Sequence, residues 1–169
     1  MKLENKVAIV TGGSRGIGYA TVEKFIKEGA KVCLTASSEA SAEKAVGKLK
    51  EAYPNADIMG IAPTLSSLES VQAEFAKVVE KYGRIDILVN NAGMSESTPL
   101  SAYTEELYDK VIDLNVKGVF TCSKVAADYM EKQHSGVIIN ASSIVSITGQ
   151  PAGFAYPASK FAVNGMTLS

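Results

Sequence analysis

Val7-Ala8-Ile9-Val10-Thr11-Gly12-Gly13-Ser14-Arg15-Gly16-Ile17-Gly18 is the stretch that decides how this chain folds. Its first four residues are apolar without alternation, which suits a strand covered on both faces. A strand is expected over Lys6 to Thr11, then a helix from Gly16 to Glu28 ending at Gly29. Between them, glycines at 12, 16 and 18 allow a ligand to approach the backbone, and the next helix opens with free amides and a positive dipole end. The spacing is not the G-x-G-x-x-G of many dinucleotide folds. A glycine run alone signals only a tight turn; its place directly after the first strand is what favours a phosphate-bearing ligand.

Outward from that turn, short apolar runs alternate with helical periodicity. Strands are expected at Lys31 to Thr35, Asp57 to Ile61, Ile85 to Asn90 and Val137 to Ala141. Helices are expected from Glu39 to Tyr53 (stopped by Pro54), from about Leu68 to Tyr82 (ending at Gly83), and from about Glu105 to Lys132 with room for a break near its start. A last helix starts near Phe154 and runs to the terminus. Apolar strands between amphipathic helices imply a parallel sheet covered on both faces, an α/β doubly wound fold. No linker, repeat or low-complexity stretch interrupts the pattern, so residues 1–169 read as one domain.

Composition narrows the function classes. With 169 residues and 46% hydrophobic content, one proper core is expected. Seventeen basic against eighteen acidic residues, with no basic block, argue against nucleic acid or an anionic membrane surface as partner. No apolar run approaches the ~18 residues needed to span a bilayer, and Met1-Lys2-Leu3-Glu4-Asn5-Lys6 lacks a signal-peptide core, so a cytoplasmic location is expected. Cys33 and Cys122 are isolated, one in a strand and one in a helix, and read as buried reduced thiols. His134, the only histidine, sits at a helix end, where it complements the dipole. No catalytic metal site is in view.

The chemistry lies in the last third. Tyr156 and Lys160 are four residues apart, on one helix face, so an ammonium can sit beside a phenol and favour its ionised form. That makes a proton donor usable near neutral pH, with Ser143 thirteen residues upstream. With the glycine turn supplying a nucleotide, the pairing reads as hydride transfer to a carbonyl. Taken singly, each residue has a plain reading: Tyr156 a surface aromatic, Lys160 a solvated charge, Ser143 a loop polar group.

Thr11-Gly12-x-x-x-Gly16-x-Gly18, Asn90-Asn91-Ala92-Gly93, Asn115, Ser143 and Tyr156-x-x-x-Lys160 together resemble the short-chain dehydrogenases/reductases. The likeness covers the whole chain. In detail it is similar to 3-oxoacyl-(acyl carrier protein) reductases and to bacterial bile-acid hydroxysteroid dehydrogenases. Tyr53-Pro54, Ala62-Pro63, Gly136-Val137-Ile138-Ile139-Asn140 and Tyr156-Pro157-Ala158-Ser159-Lys160 point to the second group.

The resemblance implies a Rossmann-like sheet of order 3-2-1-4-5 and a set of roles. Tyr156 would be the general acid in reduction and the base in oxidation. Lys160 would lower its pKa and hold the nicotinamide ribose, and Ser143 would hydrogen-bond the substrate oxygen. Asn115 would hold a water linking Lys160 to solvent. Ser142 competes with Ser143, but only Ser143 has the family's spacing. Gly12, Ser14, Arg15, Gly16, Ile17 and Gly18 would bind cofactor phosphates, and Asn91, Ala92 and Gly93 the adenosine ribose. Met94, Ser95, Ile144, Val145, Gln150 and Phe154 would face an apolar substrate.

Cofactor choice turns on Leu34-Thr35-Ala36-Ser37-Ser38-Glu39. An acid there usually binds a ribose 2′-hydroxyl, whereas Ser37 with Arg15 favours a 2′-phosphate, hence NADP with NAD as the alternative. Glu39 reads as a first-turn acid capped by Ser38. Thr64-Leu65 stands where relatives place an acid and an aliphatic residue, a departure expected to weaken adenine binding.

The expected substrates are a 3-oxoacyl thioester first and a hydroxysteroid second. A reading of another class is a catalytically inactive nucleotide-binding or assembly fragment, and the 169 residues by themselves are expected to be inactive and poorly soluble. The final helix stops at Ser169 without a cap and the fifth strand forms an apolar edge, so the chain reads as a fragment missing the family's C-terminal strands. Relatives pair their two long helices between subunits, which implies a homo-oligomer, dimer or tetramer, built on the helix bearing Val111, Leu114, Val119, Phe120, Val125 and Met130 and the one bearing Phe161, Val163, Met166 and Leu168.

Overall fold

The computed structural model describes residues Met1–Ser169. Strands β1 (Val7–Val10), β2 (Lys31–Thr35), β3 (Ile58–Ile61), β4 (Ile87–Asn90) and β5 (Val137–Asn140) are all parallel, in the order β3-β2-β1-β4-β5. The helices are α1 (Gly16–Lys27), α2 (Glu39–Ala52), α3 (Leu68–Tyr82), α4 (Glu105–Ile112), α5 (Gly118–Gln133), α6 (Val145–Thr148) and α7 (Ala155–Leu168).

Every residue of β1 is buried, because the strand feeds both cores. Val7 and Ile9 join Phe75, Val78 and Cys122 on the face covered by α3 and α5. Val10 joins Val22, Leu34 and Leu49 on the face covered by α1 and α2. This is why the strand lacks alternation: both of its faces meet apolar side chains. Helix ends follow local chemistry. Ser38 and Ser67 accept from the Ser41 and Ser70 amides, each at 3.3 Å, and open α2 and α3. Gly83, at φ 81°, closes α3 in the left-handed region.

Several expectations are corrected in detail. The helix expected over Glu105 to Lys132 is α4 and α5 joined by a π-helical stretch, Asp113–Lys117. Asn115 lies in that stretch and is buried. A one-turn 3-10 helix at Leu100–Ala102 and the four-residue α6 were too short to leave a periodic signal. Strand β4 begins at Ile87 rather than Ile85; just before it, the Asp86 amide donates to the Val7 carbonyl (2.9 Å), while its carboxylate accepts from the Val7 amide (2.9 Å) and from Arg84 (2.6 Å).

Both cysteines are buried, and desolvation pushes their thiols up, that of Cys122 to about 12, so neither is a nucleophile near neutral pH. His134 ends α5 in a left-handed conformation. No helix is long and apolar enough to cross a membrane.

Candidate active site

The turns after β1 and β4 meet at the point where the strand order reverses, the place where open parallel sheets bind ligands. Thr11 ties them together: its hydroxyl accepts from the Asn91 and Ala92 amides, both at 3.0 Å. Asn91 returns its side-chain amide to the Thr11 carbonyl at 3.0 Å. The glycine turn is packed to contact. Gly12 sits at φ +64°, and a Cβ on Gly18 would lie 2.6 Å from Asn91 Nδ2. These positions exclude side chains for steric reasons.

A cleft of about 770 Å³ opens above this junction. Gly12, Ser14, Arg15, Gly16, Ile17, Ser37, Leu65, Asn91, Ala92 and Gly93 line it, so most of the expected nucleotide residues share one cleft. Arg15 caps α1 without any side-chain hydrogen bond, and no acid lies in the first turn, which leaves that helix end free for an anion. Gly18, Thr64, Tyr156 and Lys160 are the expected residues that do not line it, and of these Thr64 departs most plainly. It is exposed and outside the cleft, its amide donates to Ser70 Oγ at 2.9 Å, and Pro63 and Leu65 line the wall on either side of it.

The cleft also contains residues that sequence reasoning missed. Lys44 and Lys48 line it from α2, one helical turn apart. In sequence they look like an ordinary solvated face. With Arg15 they put three cations on the cleft wall, and no carboxylate lines it. An adenine dinucleotide therefore fits: the volume is that of a ligand pocket, the helix end is open, and the charge is complementary.

At the inner end, a Cβ on Gly93 would stand 3.1 Å from Asn115 Oδ1 and 3.8 Å from Lys160 Nζ. Lys160 is only 7% exposed; its Nζ donates to the Ala141 carbonyl at 2.7 Å and lies 5.8 Å from the centre of the Tyr156 ring. Burial lowers the pKa of this ammonium. The two serines separate by their bonds. Ser142 donates to the Lys160 carbonyl at 3.3 Å, whereas Ser143 Oγ only accepts, from the Val145 amide at 3.4 Å. The Ser143 hydroxyl proton is thus free for another acceptor.

Asn115 is a strut. Its Oδ1 accepts from the Met94 amide (2.9 Å), while Nδ2 donates to the Met94 carbonyl (2.8 Å) and to Ser159 Oγ (3.0 Å). Both side-chain donors are occupied, so a water held by this side chain has to donate to Oδ1. Ser159, absent from the expected set, passes the link to the Tyr156 carbonyl at 2.7 Å.

Residues 6–169 match the family described as short chain dehydrogenase. The chain belongs to that family. Among curated proteins, this short-chain dehydrogenase is 54% identical to a 3alpha-hydroxysteroid dehydrogenase of Mediterraneibacter gnavus over 169 residues, all of this chain and 68% of that protein. It is 41% identical over 167 residues to a 3-oxoacyl-(acyl-carrier-protein) reductase of Thermotoga maritima, covering 99% of this chain and 67% of the relative.

Among solved structures, levodione reductase superposes with a TM-score of 0.92 at 32% identity, covering 98% of this chain. An NAD+-bound xylitol dehydrogenase does so with 0.93 at 31% identity, covering 99%. The chain spans 64% of the length of each of these two solved proteins.

Proposed function

We propose that the 169 residues form one NAD(P)-binding domain of an enzyme that interconverts a carbonyl and a secondary alcohol. The observation that carries this reading is the buried Lys160 ammonium beside Tyr156, at the inner end of a cationic nucleotide-sized cleft. Bound dinucleotide would supply or accept the hydride. The remaining work belongs to the chain. Gly12, Ser14, Gly16, Ile17 and Gly18 receive the phosphates at the open end of α1. Asn91, Ala92 and Gly93 lie along the adenosine ribose, with Leu65 near the base. Tyr156 gives a proton to the substrate oxygen in reduction and takes it in oxidation. Lys160 favours the phenolate and holds the nicotinamide ribose, and Ser143 donates to the oxygen where charge develops.

NADP(H) is favoured over NAD(H), because Arg15, Lys44 and Lys48 meet an extra phosphate and Ser37 stands where an acid would hold a 2′-hydroxyl. Titration with both cofactors tests this. Ser37→Asp should move the preference toward NADH by repelling the 2′-phosphate. Tighter binding of NADH than NADPH by the unaltered chain would overturn the assignment.

The substrate face is apolar. Ile144 and Ile147 at α6 and Phe154 at the start of α7 are exposed, the last at 53%, which supports this reading. A hydroxysteroid stands ahead of a 3-oxoacyl thioester, since the hydroxysteroid relative is the more similar of the two. A panel of ketosteroids and 3-oxoacyl thioesters, followed by NADPH absorbance, separates them. Two unpaired thiols suit the reducing cytoplasm, and exposed phenylalanines on α5 and α7 support a homo-oligomer.

A further inference from the structure

Helix α7, which carries both Tyr156 and Lys160, opens without a cap of its own. Phe154 stands at its cap position with no side-chain hydrogen bond, and the first turn contains no acid. Its leading amides are closed from another part of the chain. The Tyr156 amide donates to Glu96 Oε1 at 3.2 Å, and the Ala155 amide to the Tyr103 hydroxyl at 3.3 Å. Glu96 and Tyr103 thus accept from neighbouring amides of the same first turn.

The second Glu96 oxygen accepts from the Thr98 amide at 3.0 Å, and the Glu96 carbonyl accepts from Gln150 Nε2 at 2.9 Å. The Gly153 amide closes on the Thr98 carbonyl at 3.0 Å. The approach is too close for a side chain: Gly153 is at φ +96°, and a Cβ there would lie 2.5 Å from the Glu96 carbonyl oxygen. One carboxylate thus stitches the segment after β4 to the start of α7.

We propose that Glu96 is a positioning residue for Tyr156, a latch that couples the substrate-side loop after β4 to the proton donor. The proposal rests on the reading of Tyr156 as that donor. Lys160, one helical turn further on, is held at its Nζ by the Ala141 carbonyl, so the Tyr156 backbone and the Lys160 ammonium have separate supports. Met94, two residues before Glu96, is clamped by Asn115. A substrate pressing on Met94 or Ser95 therefore acts on a segment that bears directly on the Tyr156 backbone. A carboxylate here also complements the positive end of α7.

The test compares Glu96→Ala, Glu96→Gln and Tyr103→Phe with the unaltered chain by amide hydrogen exchange, NADPH titration and steady-state kinetics. In Glu96→Ala, exchange at Ala155 and Tyr156 should accelerate at least about tenfold, the loss of one charge-assisted hydrogen bond. Turnover should fall about 10–100-fold from misplacement of the donor, with NADPH affinity and the KM for NADPH unchanged. Glu96→Gln keeps one acceptor oxygen and should restore most of the turnover. Tyr103→Phe combined with Glu96→Ala should cost less than the product of the single losses.

Normal turnover in Glu96→Ala would overturn the latch, as would a loss that tracks the unfolded fraction alone. If Glu96→Ala fails to fold, Glu96→Gln carries the comparison through the same exchange measurement. If the unaltered chain shows no turnover on any carbonyl substrate, the functional reading falls, and exchange at Ala155 and Tyr156 alone decides the latch. Unchanged protection there would overturn it.

Discussion

Tyr156 and Lys160 illustrate how little of a residue's chemistry lies in its identity. A lysine four residues after a tyrosine is common on solvated helices. What changes this one is burial: at 7% exposure its ammonium is desolvated and spends one hydrogen bond on the Ala141 carbonyl. Ser142 and Ser143 are adjacent and chemically identical, yet only Ser143 keeps its proton undirected. Tyr156→Phe should preserve the ring and its packing while removing the proton donor. Turnover should drop about 10²–10⁴-fold, with NADPH binding largely intact. Near-normal turnover in that variant, measured by NADPH absorbance, would show that the proton comes from elsewhere.

At the scale of elements, α7 is stable only in its setting. Its first turn depends on Glu96 and Tyr103, neither of which belongs to it. The Glu96 carboxyl feels opposing influences. Burial raises its pKa, but hydrogen bonds from the Thr98 and Tyr156 amides and the Tyr103 hydroxyl outweigh burial and hold it below the ordinary 4.5. Because the folded value is depressed, the stabilisation is complete above pH 4.5 and is lost as pH falls through the folded value. Glu96→Gln should therefore show a shallower loss of stability in that acid window than the unaltered chain. Denaturant midpoints across the window check this, and parallel slopes would mean that Glu96 does not report the change. The π-helical stretch between α4 and α5 makes a related point. It turns Asn115 inward, so one irregular segment braces Met94 and Ser159 at once.

For the whole molecule, the surfaces that matter are those left uncovered. Phe120 on α5 and Phe161 on α7 are 53% and 52% exposed, large aromatics on the two helices that relatives use between subunits. Edge strand β5 exposes Val137 and Ile139 as well, at 54% and 47%. A homo-oligomer using α5 and α7 would bury the phenylalanines. Light scattering at micromolar concentration should find more than one copy. Phe161→Glu should then shift the equilibrium toward monomer by about 2 kcal/mol or more, as expected for an aromatic at the centre of an interface. A monomer at that concentration in the unaltered chain would mean that the two helices serve only to cover the sheet.

The sequence by itself determined the strands, most of the helices, the class of the sheet and the glycine turn, because apolar runs, caps and glycines act over a few residues and leave a periodic signature. The Tyr156-Lys160 spacing was legible for the same reason. Only the tertiary structure decided which groups surround them. Lys44 and Lys48 looked like a solvated helix face until α2 placed them on the cleft wall. Glu96 and Tyr103 carry no local motif, and their partners lie 60 and 52 residues away. The break after α4 was foreseen only as a place where a long helix could yield. Its π form turns Asn115 toward Met94 and Ser159, partners that are near only after the strands have brought those segments together.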